Sequence, residues 1–407
     1  MPLIKPFAGL RPVVEHATDV LAPPYDVLNS NEARERAQGK PMSFLHISKA
    51  EIDLPEGINV YDPQVYAKSA ENMQALIKQG VLIRDTAPCY YVYRLTMGDH
   101  VQTGLVCVAS VKDYNSNRIR KHEFTRPTKE DDRVRQIEAL NAQTGPVLLA
   151  YKSQSDMDAL LQVVTSGKPL YDIKADDGIS HAFWIIDKAA IIEKISNTFD
   201  AMPALYIADG HHRSAAASRI AARKAGGEHA MSQYFLAVIF PHNQMKILDY
   251  NRVVTDLNGL SKAAFLEQVG KRFTCVEHAG VVKPERAGEF GMYLAGTWYR
   301  LNIQPGLIPH DPVKKLDVSL LADNLLQPVL GINDPRTDTR IDFIGGMRGL
   351  KELEKRVNAG EMAVAFALYA TSMSDLMAVA DSNQVMPPKS TWFEPKLADG
   401  LVSHVLD

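Results

Sequence analysis

The segment ALYIADGHHRSAAASRI, Ala204 to Ile220, constrains this chain more than any other stretch. Leu205, Tyr206 and Ile207 read as a buried strand, and the Ala-rich run after Arg213 reads as a helix. Between them, Asp209, Gly210, His211, His212 and Arg213 place an acid, two imidazoles and a guanidinium around one turn. A strand passing straight into a helix needs a tight backbone approach or a positive φ at the junction, and Gly210 supplies it. The helix then offers unbonded N–H groups and the positive end of its dipole, a natural seat for phosphate.

Arg213 adds a bidentate, charge-assisted contact to the same anion. His211 and His212 donate to phosphate oxygens or, when neutral, shuttle protons. Ionised Asp209 accepts only and would repel a bound phosphate. Its chemistry there is to take a proton from an attacking hydroxyl or to hold a magnesium ion. The set predicts a phosphoryl-transfer site, where positioning and charge stabilisation do most of the catalysis. Two other readings stand beside it. In one, Asp209 caps the helix and the histidines are loop residues. In the other the pair binds zinc, against which the missing HExxH pattern and thiolate count.

A second charged cluster, RIRKHEFTRPTKEDDR, carries Lys121, His122, Glu123, Thr125, Arg126, Lys129, Asp132 and Arg133 in a turn-rich stretch that becomes helical after Pro127. It reads as a solvated loop and helix start, or as a polyphosphate seat with Glu123 as a candidate base. In PPYDV, Tyr25 and Asp26 follow two prolines that stiffen the backbone, as substrate-contacting side chains require. In MPPKSTWFEPK, Lys389 and Ser390 lie in a proline-bounded loop and are candidates to close over the anion from a second lobe.

The rest of the chain predicts a mixed α/β (α+β) fold. CYYVYRLTM and QTGLVCVASVKDY, separated by GDH, read as a hairpin. DPQVYAKSAENMQALIKQGVLI reads as an amphipathic helix ended by Gly80, and SNEARERAQGK as a polar helix capped by Ser30 or Asn31. YFLAVIFP and MKILDYNRVV read as paired strands. A change of character near residue 258 divides the chain into an N-terminal lobe, 1–257, holding the strand-turn-helix, and a C-terminal lobe, 258–407, closing a cleft. Hydrophobic residues at 46% and a formal net charge of −3 over 407 residues describe a soluble protein and argue against a dedicated nucleic-acid or membrane binder. Three cysteines without a CxxC pair give no disulfide or zinc framework. With no secretory leader or long apolar run, the expected compartment is the cytoplasm.

Several separated motifs in order resemble the family labelled DUF1015: APPYDV (22–27), KHEFT with K..DR (121–133), IADGHHR (207–213), LDVSLL with LGI (316–332), and MPPKSTWFEPK with GLV (386–402). The DGHHR turn is similar to the ParB/sulfiredoxin-like superfamily, and within it to the free serine kinases, whose Asp-Gly-His-x-Arg turn grips the phosphate chain of a nucleotide. That resemblance implies a ParB/sulfiredoxin-like core in a two-lobed chain, with phosphate bound by Gly210, His211, His212 and Arg213. It further implies a catalytic Asp209, ATP or ADP (or another phosphate donor) with Mg2+, and serine or phosphoserine as the small substrate. A phosphoserine phosphatase-like hydrolase and a ParB-like nucleotide-binding module without metabolic activity are the alternatives.

Overall fold

In the computed structural model, which describes residues 1–407 except 225, 226, 228 and 229, the chain divides into two compact units. The first comprises residues 1–245 together with 395–407, and the second residues 246–394. The boundary expected at 257/258 therefore lies earlier, and the last residues belong with the first. The reason is pairing over long sequence distance. Tyr250–Val254 is antiparallel to Ile341–Gly345 and to Val364–Leu368, so residues just after 245 are committed to later strands.

The first unit is built on a nine-stranded mixed sheet. Its strands are β1 (Ile4–Lys5), β2 (Tyr90–Met97), β3 (His100–Ser110), β4 (Ile119–Arg120), β5 (Val147–Tyr151), β6 (Tyr171–Lys174), β7 (Ser180–Ile186), β8 (Leu205–Asp209) and β9 (Tyr234–Pro241). The order is β4-β8-β5-β9-β3-β2-β7-β6, with β1 added on β3. The predicted hairpin is β2–β3, closing at Met97 opposite His100. YFLAVIFP, as β9, does not pair with MKILDYNRVV. All eight of its residues are buried between β5, to which it is parallel, and β3, to which it is antiparallel. A strand buried on both faces carries an unbroken apolar run, which gives no clue to its partner.

Helices α1 (Pro63–Lys78), α2 (Pro127–Leu140), α3 (Ser155–Thr165), α4 (Ala189–Asp200) and α5 (His211–Arg223) belong to this unit. Asp62 caps α1 through the Gln64 N–H, and proline at its first position fits, because that N–H has no intrahelical partner. The polar helix Ser30–Ala37 is capped by Asn29, with a reciprocal Glu32 capping box, rather than by Ser30 or Asn31.

Two features of the sheet position the site. Strands β4 and β8 are parallel neighbours, with Ile119 opposite Leu205 and Arg120 opposite Tyr206. The chain leaving β4 at Lys121 and the chain leaving β8 at Asp209 therefore emerge side by side. In addition, residues 395–407 return to this unit: Asp399 and Ala22 exchange backbone hydrogen bonds of 2.9 and 3.1 Å. This bridge ties the segment to the Pro23-Pro24 loop.

The second unit holds a six-stranded sheet, antiparallel at every pairing, with Leu350–Asn358 among its helices. Among the described residues, no helix is long and apolar enough to cross a membrane.

Candidate functional site

The strand-turn-helix forms as its sequence requires. Strand β8 ends at Asp209 after a register shift against β5, and Gly210 takes φ +101° in the left-handed region. A Cβ at Gly210 would lie 3.2 Å from Arg213 Nε and 3.3 Å from Val147 Cα, so both conformation and space demand glycine. No side chain caps α5. Its first-turn N–H groups have no side-chain acceptor at the cap.

Asp209 does not serve as that cap. Its Oδ1 accepts from the Gly210 N–H at 2.9 Å, and its Oδ2 lies 3.4 Å from Lys396 Nζ and 3.5 Å from Arg213 Nη2. Burial pushes this carboxyl upward, but Lys396, Arg213 and His211 more than offset it and hold it well below the usual carboxylate range. Both oxygens are thus engaged and two cations stand on the same side. As a magnesium ligand, this carboxylate would have to give up part of its contact with Lys396 and Arg213.

Arg213 is a hub. It donates to the Pro146 carbonyl, lies 3.7 Å from Asp26 Oδ2, and packs on Gly145. Burial opposes its charge, but Asp26 and Asp209 raise its pKa overall. Asp26 therefore joins the turn. Tyr25 stands under Arg133, whose guanidinium lies 3.9 Å from the ring centre, and Arg133 is bridged to Asp132 at 2.7 Å. Burial pushes the Tyr25 phenol up to about 12. A cavity of about 310 Å3 opens beside Tyr25, Asp26, Tyr61, Arg126, Lys129 and Arg133, with His212 on its wall.

The two histidines have different jobs. His211 is buried, with its Nδ1 3.6 Å from Glu123 Oε2 and its Nε2 3.4 Å from the backbone N–H of His122. Burial and then the nearby His122 keep its pKa well below the ordinary histidine value, so it is neutral at neutral pH. His212 accepts from the Arg126 backbone N–H at 3.0 Å and ties the 121–126 loop to α5. Burial and Arg126 lower its pKa. Lys121 points toward Tyr114, its ammonium 4.1 Å above that ring, and burial lowers its pKa. In the second unit, the Lys389 carbonyl accepts from Arg252 Nη2 at 2.9 Å and the Ser390 hydroxyl donates to the Pro387 carbonyl at 2.6 Å.

Sequence reasoning missed Lys396 and Asp399, and it named His122 in the charged cluster without foreseeing its burial against His211. Asp399 is 1% exposed, and neither carboxylate oxygen has a hydrogen-bond partner among the described residues. Burial drives its carboxyl up to about 7 against the pull of Arg213. Lys396 and Asp399 lie within or beside quoted motifs, and nothing local links them to a turn nearly two hundred residues earlier.

A family model described as "Protein of unknown function (DUF1015)" matches residues 4–319. No curated protein sequence matches the chain. Among solved structures, a free serine kinase in complex with AMP is similar at 14% identity and a TM-score of 0.36, covering 71% of this chain and 86% of that one. A conserved hypothetical protein from Pyrococcus furiosus is similar at 15% identity and 0.34, covering 72% and 94%. SbnI with a C-terminal truncation, from Staphylococcus aureus, is similar at 11% identity and 0.39, covering 72% and 84%.

Proposed function

This chain belongs to the family described as protein of unknown function DUF1015, and from that premise we propose that it is a phosphotransferase that moves a phosphoryl group from a nucleotide to a small hydroxyl metabolite, with serine as the first acceptor to test. One observation carries the reading. At the uncapped start of α5, an ionised Asp209 has two cations, Lys396 and Arg213, beside its Oδ2. That combination seats an anion and provides a hydrogen-bond acceptor for the group that attacks it.

In this mechanism the first-turn N–H groups of α5 bind the donor's terminal phosphate. Asp209 accepts the hydrogen bond of the acceptor hydroxyl, which fixes the line of attack. The hydroxyl oxygen bonds to phosphorus as the bond to the leaving phosphate breaks, and the proton passes to Asp209. A carboxylate held strongly ionised is a weak base. The loose transition state of phosphoryl transfer asks little of the base, and positioning carries the rate. Arg213 and Lys396 offset the charge that develops on the transferred group. Magnesium, where needed, enters with the nucleotide as part of the substrate. The cavity beside Tyr25 and Arg133 gives the rest of the nucleotide room and a stacking surface.

The test incubates the purified chain with ATP, ADP or pyrophosphate, magnesium and L-serine, and follows phosphoserine by mass spectrometry. Phosphoserine should form, and Asp209→Asn should cut the rate at least ~100-fold with the fold intact. Phosphate release from phosphoserine alone would make the same residues a phosphatase. Nucleotide binding with no turnover on any acceptor would leave a binding module.

A further inference from the structure

The geometry points to a divalent transition-metal site formed by His122, Glu123 and His211, separate from the Asp209 carboxylate. Among the described residues this is the one group of three metal-ligating side chains whose donor atoms come together, all within 4.8 Å of one another. Two residues come from the loop after β4 and the third from the first position of α5, brought together by the parallel pairing of β4 with β8.

The chemistry of the donors favours a metal over a proton-sharing cluster. His122 is 2% exposed, and its Nδ1 is buried without a hydrogen-bond partner. Its ring is held edge-to-face on His211, with centroids 4.5 Å apart at 89°. A buried nitrogen lone pair with nothing to accept is costly unless something binds it. The His122 ring also has a backbone hydrogen bond with Ile207, which helps to orient it. Two neutral imidazoles with one carboxylate suit a borderline ion such as zinc or cobalt, with positions left open for water or a substrate oxygen.

Bound donors would stand about 3.0–3.4 Å apart if each lies ~2.1 Å from the ion. The trio must therefore contract. Glu123 can supply the movement, because its side chain is 55% exposed. His211 must also move its proton from Nδ1 to Nε2, giving up the 3.4 Å contact from the His122 N–H. The competing state is the proton itself, with Nδ1–H donated to Glu123. The two states are distinguishable by experiment, and neither depends on the phosphotransferase reading.

The experiment strips the full chain with chelator, desalts it, and titrates it with Co2+ by visible absorption and calorimetry, followed by competition with Zn2+. One equivalent should bind per chain with a d–d spectrum of low coordination number, and Zn2+ should displace it. Glu123→Gln, at an exposed side chain, and His122→Asn should each weaken Co2+ by more than the roughly 10–100-fold that losing an outer-shell partner costs. His310→Asn, at an exposed position, should leave binding unchanged. The absence of stoichiometric binding in the parent chain would overturn the assignment and leave a hydrogen-bonded His–Glu pair. So would binding that survives Glu123→Gln.

Discussion

Lys396 is the side chain whose role can be tested most sharply, because its contact with Asp209 is direct. At 3.4 Å from Asp209 Oδ2, the pair is worth about 2.4 kcal/mol gross at an effective dielectric of ~40. The side chains of Lys396 and Asp209 are 24% and 36% exposed, so solvent screening and the entropy of holding the lysine reduce the coupling to about 1–1.5 kcal/mol. The perturbation is a double-mutant cycle of Lys396→Met, Asp209→Asn and the pair. Because the chain has two units, global unfolding would mix their signals. Native-state hydrogen exchange of the 205–209 amides across a urea series reads the first unit directly. The expected coupling is about 1–1.5 kcal/mol and constant from pH 8 to pH 5, since Asp209 stays ionised throughout that range. A coupling below ~0.3 kcal/mol, within ordinary additivity, would refute the clamp and with it the electrostatic basis of the proposed mechanism.

Three further outcomes follow from the same environment. Asp399, raised by burial to about 7 from its ordinary 3.8, favours its protonated form in the fold, so its contribution is present below pH 4 and lost as pH rises through 7. Asp399→Asn should accordingly gain up to about 3–4 kcal/mol relative to the parent between pH 4 and pH 8, and a Tm difference that does not grow with pH would contradict this. His122 has the opposite sign. Its folded value of about 4 lies below the unfolded 6.5, so the fold loses about 3 kcal/mol as pH falls from 6.5 to 4, and in His122→Asn the acid limb of a pH–Tm curve should be shallower. Gly210→Ala should cost about 1–3 kcal/mol by thermal denaturation and weaken nucleotide binding, because φ +101° and the 3.3 Å approach to Val147 both reject a Cβ.

The parts of the site that could be read from the sequence are those encoded locally. The strand, the glycine and the helix of 205–223 follow from a period-two run, one obligatory glycine and a run of helix formers. The β2–β3 hairpin follows from alternation around Gly98-Asp99. What escaped was set by long-range contact. Tyr234–Pro241 is apolar throughout, so nothing in it distinguishes a partner at 105–110 from one at 246–254. Lys396 looks like an ordinary exposed lysine until the Ala22–Asp399 bridge places it beside Asp209. His122 reads as one more polar loop residue, and only the parallel pairing of β4 with β8 shows that it is buried against His211.

The return of residues 395–407 to the first unit has a consequence for how the molecule is made. A ribosome delivers Asp209 and Arg213 long before Lys396, with the whole of residues 246–394 in between. At ~5–20 residues per second, that interval lasts roughly 10–30 s. During it, α5 and its glycine turn can form, while Asp209 faces Arg213 without its lysine and the Pro23-Pro24 loop lacks the Ala22–Asp399 bridge that pins it. A message broken anywhere within that stretch would encode the α5 turn without the lysine that stands beside Asp209. The site thus marks whether translation has passed residue 396.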